Sequence, residues 1–172
     1  LLELVERDAV TLWSLRDPLV RAATRLDLGT VRRAELRGLL AHLRAAGMLV
    51  AAWEATSDLG VPTFFCHLMA ERPGPHDPGG WEFGSACRID PEAAILAAIL
   101  EAIQARLTQI TGSRDDIGRA RYAPIDPARI ARHRELLRRP GCRPLPVPPW
   151  DPGLPARDQL ARLLDRLAER GL

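Results

Sequence analysis

The stretch MLVAAWEATSDLGVPTFFCHLMA, residues 48–70, decides how the fold is read. Upstream of it, Leu36, Leu39, Leu40 and Leu43 recur at helical spacing within residues 31–46, and Gly47 is a natural stop for that helix. At Met48 the period changes. MLVAAWEAT is a short apolar run suited to a buried strand, SDLGVP carries turn residues, and TFFCHLMA reads as the next strand. ERPGPHDPGG (71–80) is a loop by composition, and WEFGSACRI (81–89) is read as a third strand. Asp90-Pro91-Glu92 then opens a helix with an acid at its N-cap and proline at its first position. That helix is expected to run to Thr111, with Gly112 as its end.

Working outward, the opening LLELVERDAVTLW is helical to about Arg16, where Asp17-Pro18 interrupts it. A shorter helix is expected over 127–138. A proline-rich connector fills 140–155, and ARDQLARLLDRLAERG (156–171) is an amphipathic helix with charges of alternating sign on its outer face. Helices interspersed with a few short strands predict an α/β layered domain, with α+β as the other arrangement this order allows. The first helix has no start signal, and a strand is expected after Gly171-Leu172. Residues 1–172 are therefore expected to be the C-terminal portion of a single domain, incomplete at both ends.

The 172 residues are 47% hydrophobic and 27% charged, the balance of an ordinary globular domain, which excludes collagen-like, coiled-coil and wholly disordered chains. The longest nearly uncharged apolar stretch, 93–100, is too short for a bilayer, so no membrane partner is expected. All 24 basic residues are arginine. Without lysine there is no Walker-type phosphate loop and no Schiff-base chemistry, so any bound anion is held by arginine or by backbone amides. A net charge of +2 does not mark a general nucleic-acid binder. Cys66, Cys87 and Cys142 are odd in number and widely spaced, which predicts free thiols in a reducing cytoplasm rather than a disulfide framework or a zinc knuckle.

Two apolar helices carry the candidate chemistry. In the first, apolar residues point in nearly all directions, which predicts burial, yet Glu3, Glu6 and Arg7 share one face. Buried charges must be paired or coordinate something. Two carboxylates three residues apart can ligate Mg²⁺, and an arginine beside them offers planar donors to phosphates. The competing account is a surface Glu3–Arg7 ion pair. In the helix beginning at Asp90, Glu101, Gln104 and Arg106 repeat the theme, and ILEAIQAR echoes LLELVER as two related half-sites would; the competing account pairs Glu101 with a neighbouring arginine. Cys66 and His67 are adjacent on a strand and so face opposite ways. His42 and His133 read as surface residues and His76 as a loop residue. The basic run RIARHRELLRR (129–139) reads as a solvated helix face, with an acidic peptide or a nucleotide as the other partner it could meet.

These blocks carry a resemblance. LLELVERDAVTLW resembles the helix that follows the Asn-x-x-Gln-Glu-type segment of YcaO-domain proteins. EATSDLGVPTFF resembles the family's next strand-turn-strand, and GSACRIDPEAAILAAILEAIQARLTQITGSRDDI its later glycine turn, long helix and Gly-Ser-Arg-Asp-Asp ending. DQLARLLDRLAERGL is similar to the helix before the family's last strands. The resemblance implies an ATP- and Mg²⁺-dependent enzyme that phosphorylates a peptide-backbone amide oxygen, leading to an azoline, a thioamide or an amidine. It implies Glu3 and Glu6 as magnesium ligands, Arg7 at the ATP phosphates, and Glu101, Gln104 and Arg106 in a helix shared with the nucleotide site. It also implies a precursor peptide or protein substrate, a TfuA-type or leader-binding partner, and a homodimer. Three features depart from the pattern: the family's first glutamate pair lies upstream of Leu1, Ala97 stands where relatives often have arginine, and PLPVPP lies in the connector rather than at a chain end. The alternative from another class is a non-catalytic YcaO-like scaffold that binds and presents a peptide.

Overall fold

The computed structural model describes residues 1–72, 80–111, 126–147 and 149–171. His76, Gly112 and the Gly-Ser-Arg-Asp-Asp ending lie outside the described residues. The elements are α1 (Leu2–Ser14), α2 (Pro18–Ala23), a 3-10 turn (Leu28–Thr30), α3 (Ala34–Ala45), β1 (Met48–Glu54), β2 (Thr63–Ala70), β3 (Trp81–Cys87), α4 (Pro91–Thr111), α5 (Pro127–Arg138) and α6 (Ala156–Glu169). The three strands form one antiparallel sheet in the order β1-β2-β3, with Trp53 opposite Phe65 and Cys66 opposite Gly84. Consecutive antiparallel strands make this the α+β arrangement of the two that the sequence allowed.

Alternation along the strands sends residues to two differently covered faces. On one, Ala52, Phe64, Cys66 and Ala86 pack against Ala94, Ile95, Ala98 and Ile99 of α4 and Leu36 of α3. On the other, Ala51, Trp53 and Met69 pack against Trp13 of α1 and Leu137 of α5. A third cluster joins Val5 of α1, Val61, Cys87 and Ile89 to Trp150 of the connector and Leu163 of α6. The connector is tied down there, since Trp150 Nε1 donates to the Gly60 carbonyl at 2.7 Å. The 21-residue α4 has the length and composition of a membrane span, with a mean hydropathy of 1.4, but its inner face is the main contact of the sheet.

Three expectations change. Asp17-Pro18 does end the first helix, and it also starts α2, because the Asp17 side chain accepts from Leu19 N at 2.8 Å and proline suits a first helical position. The first helix is not buried all round. Val5, Ala9 and Trp13 form its inward stripe, while Leu4 is 65% and Leu15 78% exposed, because the sheet covers only one side of it. Nor is His133 a surface residue. It stacks on Trp81, with centroids 4.0 Å apart, and its Nε2 lies 3.0 Å from Nδ1 of His67. The Arg129 guanidinium also lies over the Trp81 ring, 5.2 Å from its centroid. The basic run therefore turns Ile130, His133 and Leu137 towards the sheet and leaves Arg129, Arg132, Arg138 and Arg139 exposed, with Arg134 half-buried between them.

Burial pushes the His67 imidazole down to about 3, helped by the neighbouring His133, and the His133 imidazole down to about 4. The unfolded chain takes up protons at these positions below about pH 6.5, whereas the folded chain does not until lower pH. The thermal midpoint should therefore fall as pH drops from about 6.5 towards 4. His133→Phe, which retains the stacking surface, should flatten that slope in melting curves recorded across the range.

A second prediction concerns Gly84, which lies in β3 directly beneath α4. A Cβ there would run into the Ala98 carbonyl oxygen and stand 2.6 Å from the Ala102 nitrogen, both backbone atoms of α4. Gly84→Ala should cost about 1–3 kcal/mol or more in urea unfolding. Gly38→Ala in α3, where a Cβ meets nothing within 4 Å, should stabilise by about 0.5–1 kcal/mol.

Candidate functional site

β3 is an edge strand, so the N–H groups it turns away from β2 need partners. Two carboxylates supply them. Glu101 Oε2 accepts from Ser85 N at 2.7 Å, and Glu6 Oε2 accepts from Cys87 N at 3.1 Å. Glu6 Oε1 also accepts from the Ser85 hydroxyl at 2.6 Å. Ser85 is thereby held by Glu6 of α1 and Glu101 of α4, which cover opposite faces of the sheet and meet at its open edge. Gly84 makes this geometry available, since its bare Cα lets α4 lie close enough for Glu101 to reach the next backbone nitrogen.

The other candidates distribute around this pair. Glu3 lies one turn before Glu6 and Arg7 next to it, both exposed, and Gln104 lies one turn past Glu101, also exposed. Among the described residues, no ion pair joins Glu3 to Arg7, and the partner of Glu101 is a backbone amide rather than an arginine. Arg106 is not brought to the edge of β3. It lines a separate cavity of about 440 Å³ with Gly47, Ala70, Glu71 and Arg72. Five positions past Glu101 amounts to about 140° around the helix, so the two side chains diverge. In the echo between the two helices the letters set Glu3 against Glu101, whereas at Ser85 it is Glu6 that converges with Glu101.

Ser85 is the residue that sequence reasoning missed. Its signal was the glycine before it, because a glycine inside a strand marks a close backbone approach. The buried cysteines Cys66 and Cys87 lie beside the site as free thiols. Burial pushes the Cys66 thiol up to about 12, and burial together with the nearby Glu6 raises that of Cys87, so both stay protonated near neutrality. Cys142 is exposed. Arg88 donates to the Cys87 carbonyl at 2.7 Å and so braces the end of β3. Among the described residues no three histidine, cysteine or acidic side chains gather as a closed metal cage. A pair of carboxylates is nevertheless what Mg²⁺ takes from a protein when phosphates and waters complete its shell.

The whole chain, residues 1–172, matches the family described as YcaO cyclodehydratase, ATP- and Mg²⁺-binding. A protein from the tfuA 3′ region of Rhizobium leguminosarum bv. trifolii is 36% identical over 129 residues, covering 73% of this chain and 31% of that protein. A Methanothermobacter thermautotrophicus protein is 34% identical over 122 residues, covering 71% of this chain and 30% of its own length. The chain thus spans about a third of the length of the curated relatives it matches. Among solved structures, a heterocyclase in complex with substrate and cofactor superposes with a TM-score of 0.63 at 22% identity, covering 99% of this chain and 22% of that one. YcaO from Methanopyrus kandleri, bound with AMPPCP and Mg²⁺, superposes with a TM-score of 0.63 at 23% identity, covering 99% of this chain and 43% of that one. These two similarities show the shared fold, and the match along all 172 residues places the chain in the YcaO cyclodehydratase family.

Proposed function

We propose that these residues supply one part of the nucleotide and metal site of an ATP- and Mg²⁺-dependent enzyme that activates a backbone amide in a peptide or protein substrate. The observation that carries this reading is the convergence of Glu6 and Glu101 on Ser85 at the open edge of β3. The donor set suits the cofactor: hard carboxylate oxygens, oriented by backbone N–H groups, with lone pairs left for a cation. Glu3 extends the acidic face by one turn and joins Glu6 on the metal. Arg7 contacts phosphate, in keeping with a chain that has no lysine. Gln104 lines the same side of α4 as Glu101. Arg106, in its own cavity, acts on the nucleotide only from outside this pair.

When bound, ATP supplies the phosphoryl group that turns the amide oxygen into a leaving group, and Mg²⁺ neutralises phosphate charge. The chain's own residues hold and orient these groups at the sheet edge. Azoline formation agrees with the cyclodehydratase family and with the heterocyclase neighbour. The relative from a tfuA region favours the thioamide outcome and a TfuA-type partner. A cytoplasmic setting fits free thiols. Because the relatives are about three times longer, the remaining ligands of the site are assigned to sequence outside these residues. In the alternative, a non-catalytic scaffold, Glu6 and Glu101 would serve only to cap the N–H groups of Ser85 and Cys87, and substrate-stimulated ADP release separates the two readings.

In the full-length protein, Glu6→Gln and Glu101→Gln should each abolish substrate-stimulated ADP release while leaving the melting temperature close to that of the parent. Loss of a charge-assisted contact of this kind removes about 1.5–3 kcal/mol. Near-parental ADP release by both variants would remove the assignment. Residues 1–172 alone should show no turnover in the same assay and only weak heat on titration with ATP and Mg²⁺, since one carboxylate pair balances only part of the charge.

A further inference from the structure

At the opposite edge of the sheet, the described residues cover only half of β1. Segment 24–26 pairs with its C-terminal half: Leu26 N donates to Ala52 O at 2.9 Å and Glu54 N to Thr24 O at 2.9 Å. These bonds show that the even-numbered residues of β1 turn their backbone groups outward. After Leu26 the covering segment leaves, because Asp27 accepts from Gly29 N and starts the 3-10 turn. The N–H and C=O groups of Met48 and Val50 are thus left facing a groove of about 500 Å³, where segment 24–26 would have continued.

The groove has an unusual charge. Five arginines line it against two carboxylates, and one of those carboxylates, Glu71, is already engaged by Arg138. Arg37 and Arg44 project from α3, which covers one face of the sheet, and Arg138 and Arg139 lie at the end of α5, which covers the other. All four are exposed. Among the described residues, Arg37, Arg44 and Arg139 have no carboxylate partner.

We propose that this groove binds an extended acidic segment of a partner polypeptide, which adds as a short strand to the free half of β1. A strand laid there pairs with Met48 and Val50, and its side chains alternate between the two walls. Successive acidic residues then meet Arg37 and Arg44 on one side and Arg139 on the other. A nucleotide or polyphosphate suits the groove less well. Its floor is apolar at Leu49, Val50 and Leu40, the Asp27 and Glu71 carboxylates repel phosphate, and a polyphosphate makes no use of the open ladder groups. The segment docks two strands away from the Glu6–Glu101 pair, so binding there leaves that pair free.

The test is fluorescence anisotropy on the full-length protein with a fluorescein-labelled TEEVEET peptide. Binding is expected, and it should weaken on the order of tenfold in the double variant Arg37→Glu/Arg44→Glu. The neutral TQQVQQT peptide should bind much less tightly. TEEVEET N-methylated at alternate residues keeps every charge but cannot complete the ladder, and it should also lose affinity. Equal affinity of the N-methylated peptide would overturn strand addition. Absence of TEEVEET binding, binding unaffected by the double variant, or stronger competition by tripolyphosphate than by unlabelled peptide would overturn the proposal. Parental melting temperature and ADP release in the double variant separate loss of docking from loss of fold or of the glutamate site.

Discussion

The architecture depends on how closely α4 approaches β3. At Gly84 a helix backbone and a strand backbone come so near that even a methyl group would collide with the Ala98 carbonyl. That approach explains the small residues facing the strand, since Ala94, Ala98 and Ala102 are fully buried and a larger side chain at any of them would lift the helix away. It also sets the height at which Glu101 emerges. With the helix seated low, a carboxylate from one face of the sheet reaches the outer backbone of the edge strand and meets a carboxylate arriving from the other face. Packing and site geometry are here consequences of the same contact.

The two edges of the sheet are handled in opposite ways. At β3, Glu101 and Glu6 accept from the N–H groups of Ser85 and Cys87, which blocks strand pairing at those two residues. β1 is closed by backbone over its second half only, and arginines surround the remainder. Unpaired edges are hazards for aggregation, and clustered like charge is a common protection. An exclusively arginine complement serves both purposes, since guanidinium groups repel one another yet present planar forks to carboxylates.

Much of this was legible in the letters. The strand at 63–70 and the helix start at Asp90-Pro91 are local signals, a run of β-prone residues and a cap, and local signals need no tertiary partner to be read. The pairing of Glu6 with Glu101 was not legible, because it passes through Ser85, which belongs to a third element. His67 and His133 are separated by 65 intervening positions and meet only because α5 crosses the sheet beside Trp81. That Arg106 lines a different cavity from Glu101 follows from the helix alone, since five positions turn it by about 140°. The all-round apolarity of α1 misled, since composition does not say which stripe finds a surface to cover.

The cluster joining Val5 to Leu163 and Trp150 bears on how the chain comes together. It links the first turn of the first helix to the last helix, across nearly the whole sequence. Contacts of such separation form late, after the sheet and α4 have restricted the search. α1 is thus held in place by partners that lie far from it along the chain. The position of Glu6 at the sheet edge therefore depends on packing contributed from the far side of residues 1–172, so a change at Leu163 or Trp150 is expected to reach the carboxylate through α1.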